Sequence, residues 1–117
     1  MIALVVDDDP AIRDFIKAVL QREGFVTLEA EGGRRALEIV EVIGGGIGLI
    51  VTDLQMPDGD GLTFANEVRR RFPTLPILIA SGLSRPEEPF EFLEKPFTWA
   101  AVQLAVQRLL GSPAKSA

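Results

Sequence analysis

Four places in the sequence carry side chains able to do chemistry together: Asp7-Asp8-Asp9, Asp53, Ser81 and Lys95. Each place ends a short run that reads as a strand, at residues 2–6, 49–52, 77–80 and 92–94. Carboxylates packed close together raise one another's pKa and weaken the fold. A divalent cation relieves that repulsion. Mg²⁺ takes one or two carboxylates, keeps several waters and accepts phosphate oxygens. An aspartate can itself be a nucleophile and form an acyl phosphate. Such a transfer needs in-line positioning and neutralised charge on the equatorial oxygens. A cation, the Lys95 ammonium and the Ser81 hydroxyl provide one contact for each oxygen. These residue types therefore point to Mg²⁺-assisted phosphoryl chemistry.

Composition removes most alternatives. The chain of 117 residues contains no cysteine, so disulfides, thiolate nucleophiles and thiolate-bound zinc are excluded. It contains no histidine, which excludes a Ser-His triad, an imidazole base and imidazole metal ligands. Ligation by oxygen alone favours hard cations. The net charge of −5 argues against direct nucleic-acid binding. Apolar residues make up 47%, which suits one globular domain. No apolar run approaches the roughly 18 residues of a membrane span. The start, Met1-Ile2-Ala3-Leu4-Val5-Val6, has no basic segment or cleavage site and reads as a strand, not a signal peptide. The expected location is the cytoplasm.

The elements that position these residues alternate regularly. The apolar run 2–6 suits a strand buried on both faces. Asp9 and Pro10 form a cap and a first helical residue. Ile12, Phe15, Ile16, Val19 and Leu20 then recur at helical spacing, and Gly24 ends the unit. Residues 26–28 read as a second strand and 34–42 as a second helix, with Ala36, Leu37, Val40 and Ile43 on one face. Gly44-Gly45-Gly46 reads as a flexible break. The third strand ends on Asp53, and a turn-rich loop at 55–61 leads into a helix over 62–72, with Leu62, Ala65, Val68 and Phe72 inward. Pro73 and Pro76 bracket the entry to the fourth strand. Thr98 caps a final helix that turns Trp99, Val102, Val106 and Leu109 inward. Strands alternating with helices predict an α/β fold with a doubly wound, five-stranded parallel sheet and right-handed crossovers. Ligands of such sheets bind beyond the carboxyl ends of the strands, at the topological switch point. The reactive residues all lie at that edge.

With those residues placed, the chain resembles the receiver domain of two-component response regulators. The resemblance is carried by VVDDDP at 5–10, IVTDLQMPDGDG at 50–61, LIASG at 78–82 and EKPF at 94–97. It implies a flavodoxin-like strand order 2-1-3-4-5 and a receiver domain over 1–111, with 112–117 a disordered tail. It implies Asp53 as phosphoacceptor, with Ser81 and Lys95 contacting the phosphoryl group. Asp8 and Asp53 would ligate Mg²⁺ directly, Asp7 directly or through water, and the Gln55 backbone carbonyl would be a further ligand. Lys95-Pro96 would be a cis peptide. Ser81 and Phe92 would occupy the family's switch positions. Such a domain catalyses its own phosphotransfer and autodephosphorylation but is mainly a signalling module. With no histidine here, the donor would be a sensor histidine kinase, a histidine phosphotransfer protein or a small acyl phosphate.

One stretch departs from that family. Between Ser81 and Phe92 stand ten residues, GLSRPEEPFE, with prolines at 86 and 89. Two prolines so close break a regular helix. Helix 4 is therefore expected to be reduced or absent, which puts the usual homodimer surface of helix 4, strand 5 and helix 5 in doubt. The same stretch motivates a competing reading, a pseudo-receiver used as a docking module without phosphorylation. A phosphatase of the haloacid dehalogenase type is disfavoured, because Pro10 follows the Asp7-x-Asp9 pattern directly and no cap domain fits the length. Dinucleotide binding fails because aspartates, not glycines, follow the first strand.

Overall fold

The computed structural model describes residues 1–56, 59–82 and 90–111. The expected loss of helix 4 falls on 83–89, and the expected disordered tail on 112–117, so both lie outside the described residues. The strands of the main sheet are β1 (Ile2–Val6), β2 (Val26–Ala30), β3 (Ile47–Thr52), β4 (Ile77–Ser81) and β5 (Glu91–Glu94). They pair in parallel in the order β2-β1-β3-β4-β5. The helices are α1 (Pro10–Arg22), α2 (Gly33–Ile43), α3 (Gly61–Arg71) and α4 (Trp99–Leu109).

The central strands are apolar throughout because both of their faces are covered. Alternate residues of β1 go to opposite sides. Leu4 and Val6 join Ile50, Ile77 and Ile79 beneath α2 and α3. Ala3 and Val5 join Leu49, Val51 and Leu78 beneath α1 and α4. The product is a three-layer sandwich. Each fully buried Leu, Ile or Val in it contributes about 1.5–3 kcal/mol relative to exposure.

Local chemistry sets the helix bounds. Asp9 caps α1, its Oδ1 accepting from the Ala11 amide at 2.9 Å, with Pro10 at the first helical position. The chain leaves α1 through Gly24 at φ +99°, a conformation that suits glycine. Thr98 caps α4 through an Oγ1 contact of 3.1 Å from the Ala101 amide. Phe15 of α1 lies beside Phe97 and edge-on to Trp99, which closes the seam between α1 and α4. At the other end of that seam the buried Glu23 carboxylate accepts from Gln103 Nε2 at 2.8 Å and Gln107 Nε2 at 3.5 Å.

Three details differ from the sequence expectation. Gly44–Gly46 forms a single 3₁₀ turn rather than an open break. The 55–61 stretch holds a short antiparallel ladder, Gln55–Met56 with Gly59–Asp60. Phe64, absent from the expected inward face of α3, is buried, whereas Phe72 is only partly so. Helical spacing leaves Phe64 and Ala65 side by side under the sheet, so the inward stripe is wider than the sequence suggests.

Candidate functional site

The sheet order reverses between β1 and β3, where each chain crossover departs to a different side. Val6 pairs with Thr52 across that boundary, so the next residues, Asp7 and Asp53, leave the sheet abreast. Two ladder bonds fix their backbones: the Asp7 amide donates to the Ala30 carbonyl at 3.1 Å, and the Asp53 amide to the Val6 carbonyl at 2.9 Å. On the far side Ser81 pairs with Glu94, and the Lys95 amide donates to the Ser81 carbonyl at 2.8 Å. The Lys95-Pro96 peptide is cis, as the resemblance implies.

These strand ends enclose a cleft of about 500 Å³ lined by Asp7, Asp8, Asp53, Gln55, Ser81 and Lys95 among others. Six of the seven candidate residues therefore share one place. The seventh, Phe92, is not among the lining residues and packs, half-buried, against the α2–α3 face of the sheet. Asp7 and Ser81 are buried at 1% exposure and Asp53 at 7%, while Asp8 is exposed.

Lys95 bridges the two buried carboxylates. Its Nζ lies 2.8 Å from Asp7 Oδ2 and 3.2 Å from Asp53 Oδ2. The remaining oxygens face backbone donors. Asp7 Oδ1 accepts from the Asp9 amide at 2.9 Å. Asp53 Oδ1 accepts from the Leu54 amide at 2.7 Å and the Gln55 amide at 3.4 Å. Burial pushes the Asp7 carboxyl above its ordinary value and the charge of Asp53 adds to this, against the opposing pull of Lys95 and the Asp9 amide. Burial acts to lower Lys95, but the hydrogen bond to Asp7 and the charges of Asp7 and Asp53 prevail and hold it above the usual lysine range.

Carboxylate oxygens of Asp7, Asp8 and Asp53 can be chosen that all lie within 4.8 Å of one another. This is an all-oxygen donor set fit for a hard cation. Gly61 sets the approach of α3 to this site. A Cβ there would stand 1.9 Å from the Asp53 carbonyl oxygen, so only glycine allows the loop after Asp53 to fold back as it does. Arg13 belongs to none of the motifs visible in the sequence, yet its Nη1 donates to the Asp7 carbonyl at 2.7 Å. The available signal was a basic residue early in the helix that follows three aspartates.

Fold and cleft together define a doubly wound domain with a lysine-bridged acidic site at its switch point. The response regulator receiver domain family matches residues 3–107. The chain belongs to that family. It is 33% identical over 115 residues to the sensor kinase CckA of Brucella abortus, covering 92% of this chain and 12% of that protein. It is 32% identical over 102 residues to the KDP operon transcriptional regulatory protein KdpE of Escherichia coli, covering 80% of this chain and 44% of that one. The chain thus spans less than half the length of either relative. Among solved structures, the receiver domain of the hybrid histidine kinase CckA superposes with a TM-score of 0.83 at 33% identity, covering 94% of this chain and 99% of that one. The response regulator TrrA of Thermotoga maritima, in complex with Mg²⁺-BeF, gives 0.80 at 31% identity, with 92% and 97% covered. No helix among the described residues is long and apolar enough to cross a membrane.

Proposed function

We propose that this receiver domain, spanning 1–111, is a phosphoacceptor switch in which Asp53 takes a phosphoryl group from a phosphohistidine on a partner protein. The observation that carries the reading is the Lys95 bridge between Asp7 and Asp53 at the mouth of the cleft. A carboxylate oxygen of Asp53 attacks phosphorus in line with the P–N bond. The P–N bond breaks as the P–O bond forms, and the imidazole leaves with the electron pair and gains a proton. Lys95 is within reach of the transferred group and neutralises one equatorial oxygen, and the Ser81 hydroxyl meets another.

Asp7, Asp8, Asp53 and the Gln55 backbone carbonyl would hold Mg²⁺. Bound there, the ion supplies charge neutralisation to the phosphoryl oxygens. The Mg²⁺-BeF complex of TrrA supports this ligand chemistry for a related cleft. An apolar groove lined by Ile12, Phe15, Pro96 and Phe97 adjoins the cleft and shares Lys95 with it. That neighbour supports a donor presented on a protein surface, such as a sensor histidine kinase or a histidine phosphotransfer protein. In this reading the domain is cytoplasmic and acts by contact rather than by binding nucleic acid, and Ser81 and Phe92 respond to the new charge.

The test is labelled phosphoryl transfer from acetyl phosphate and from a phosphorylated histidine domain, with Mg²⁺ present. The parent chain becomes labelled and Asp53→Asn does not. Labelling that persists in the variant, or a parent that takes up no label and does not respond to Mg²⁺ with beryllofluoride, favours a docking module instead.

A further inference from the structure

The cleft holds its three carboxylates by unequal means. Asp7 and Asp53 each have Lys95 on one oxygen and a backbone amide on the other. Asp8 is exposed, and its carboxylate has no hydrogen-bond or ion-pair partner among the described residues. Its oxygen nevertheless lies within 4.8 Å of those of Asp7 and Asp53. Asp8 therefore inherits its position from the backbone that carries it.

That backbone is clamped at one residue. The Asp7 amide donates to the Ala30 carbonyl at 3.1 Å, and the Asp7 carbonyl accepts from Arg13 Nη1 at 2.7 Å. The carbonyl belongs to the peptide that joins Asp7 to Asp8, so its orientation sets the direction in which Asp8 leaves. Arg13 is itself anchored. Its Nε donates to Glu29 Oε1 at 2.9 Å, and Lys17 Nζ lies 2.9 Å from the other Glu29 oxygen. The Arg13 side chain is only 16% exposed, so its bond to the Asp7 carbonyl is better shielded from water than its contact with the exposed Glu29. A guanidinium presents several donors in a fixed fork and serves a carbonyl and a carboxylate at once. An ammonium at this position serves one.

We propose that Arg13 is a positioning residue for the cation site: it ties the Asp7-Asp8 peptide to Glu29 of β2 and so aims Asp8 into the cleft. The inference rests on the phosphoacceptor reading for its purpose, but its geometry is separately testable. Outer-shell partners of metal ligands typically govern affinity by 10- to 100-fold.

The experiment uses the whole chain, with Mg²⁺ itself as the probe. Metal-free protein is titrated with Mg²⁺ while the amide resonances of Asp8, Asp9 and Asp53 are followed, and amide hydrogen exchange is measured without metal. R13A is expected to raise the half-saturating Mg²⁺ concentration about tenfold. Exchange at the Asp9 amide, which reports its bond to Asp7, accelerates, while the Ile79 amide in β4 keeps its rate. K17A, which removes the outer contact to Glu29 and the exposed contact to Asp14 but leaves Arg13 in place, stays within about twofold of the parent on the same scale. Mg²⁺ binding in R13A within twofold of the parent overturns the proposal, as does acceleration of Ile79 equal to that of Asp9, or a K17A loss equal to that of R13A. If R13A does not fold, R13K takes its place, since it keeps the charge and loses the fork; binding equal to the parent overturns the proposal there. A parent labelled at Asp53 with R13A unaffected defeats the Arg13 assignment alone. A parent that takes up no label, beside an R13A that binds Mg²⁺ more weakly, defeats the phosphoacceptor reading and leaves Arg13 in place.

Discussion

The ends of β1 and β3 and the ends of β4 and β5 flank the same cleft at one edge of the sheet. The first pair is interior. Nearly every residue of β1 and β3 is buried, and Asp7 and Asp53 continue ladder bonds to Ala30 and Val6. The second pair ends at a sheet edge. β5 has one strand neighbour, its residues are half-buried or exposed, and Glu91 makes an exposed ion pair with Arg108. The carboxylates thus stand on buried strands, and the ammonium that bridges them follows the edge strand β5, which is less packed than its buried neighbour β4. Regions with fewer buried contacts open at lower free energy. Under the proposed function, a new negative charge at Asp53 would meet a buried acidic wall on one side and a lysine after the edge strand on the other.

The largest effect should come from the interior. Ile50→Ala on β3, at 0% exposure, is expected to cost about 4 kcal/mol in urea unfolding, against about 2 kcal/mol for half-buried Leu93→Ala on β5. Equal costs would erase the distinction between the two halves. Gly61→Ala comes next. Its Cβ has no room beside the Asp53 carbonyl, and a loss of about 3 kcal/mol is expected. A neutral result would show that the loop relaxes freely and that the acidic side is not rigid. Lys95→Ala strips the shared cation from two buried carboxylates and should cost about 2 kcal/mol without metal, with Mg²⁺ recovering much of the loss. No dependence of that loss on Mg²⁺ would separate Lys95 from the acidic site.

The smallest effect concerns the surface charges of β2. Hydrogen bonds from Lys17 and then Arg13 hold the Glu29 carboxyl below its ordinary 4.5. A depressed carboxylate stabilises the fold above its unfolded pKa, and that contribution fades as pH falls through the folded value. Glu29→Gln should therefore cost under about 1 kcal/mol at neutral pH, since Glu29 is largely solvated, and progressively less as pH falls below 4.5. A deficit that grows on acidification would reverse the sign and exclude this origin.

The sequence made the sheet legible because each central strand is a largely apolar run, and it made α1 and α4 legible because they begin with recognisable cap chemistry at Asp9 and Thr98. It also placed Asp7, Asp8, Asp53, Ser81 and Lys95 at one edge, since the strand-end rule needs only strand limits. Three things escaped it. Arg13 reaches a backbone carbonyl, and no residue pattern records which carbonyl a long side chain will find. The need for glycine at 61 arises from contact with Asp53, eight residues earlier, rather than from a turn residue's own conformation. Phe92 lies off the cleft, because alternation along β5 sends it to the α2–α3 face while Leu93 goes to the other.

The buried Glu23 carboxylate has an engineering consequence. It ends α1, and Gln103 and Gln107 of α4 grip it from one helical turn apart. Two contacts on one face fix both the rotation of α4 about its axis and its slide along α1. A reporter or enzyme joined in helical phase after Leu110 would inherit that heading from a carboxylate more than eighty residues upstream. Shortening such a fusion by one residue would swing its cargo by about 100° around the helix, whereas Glu23→Ala would release the mount itself.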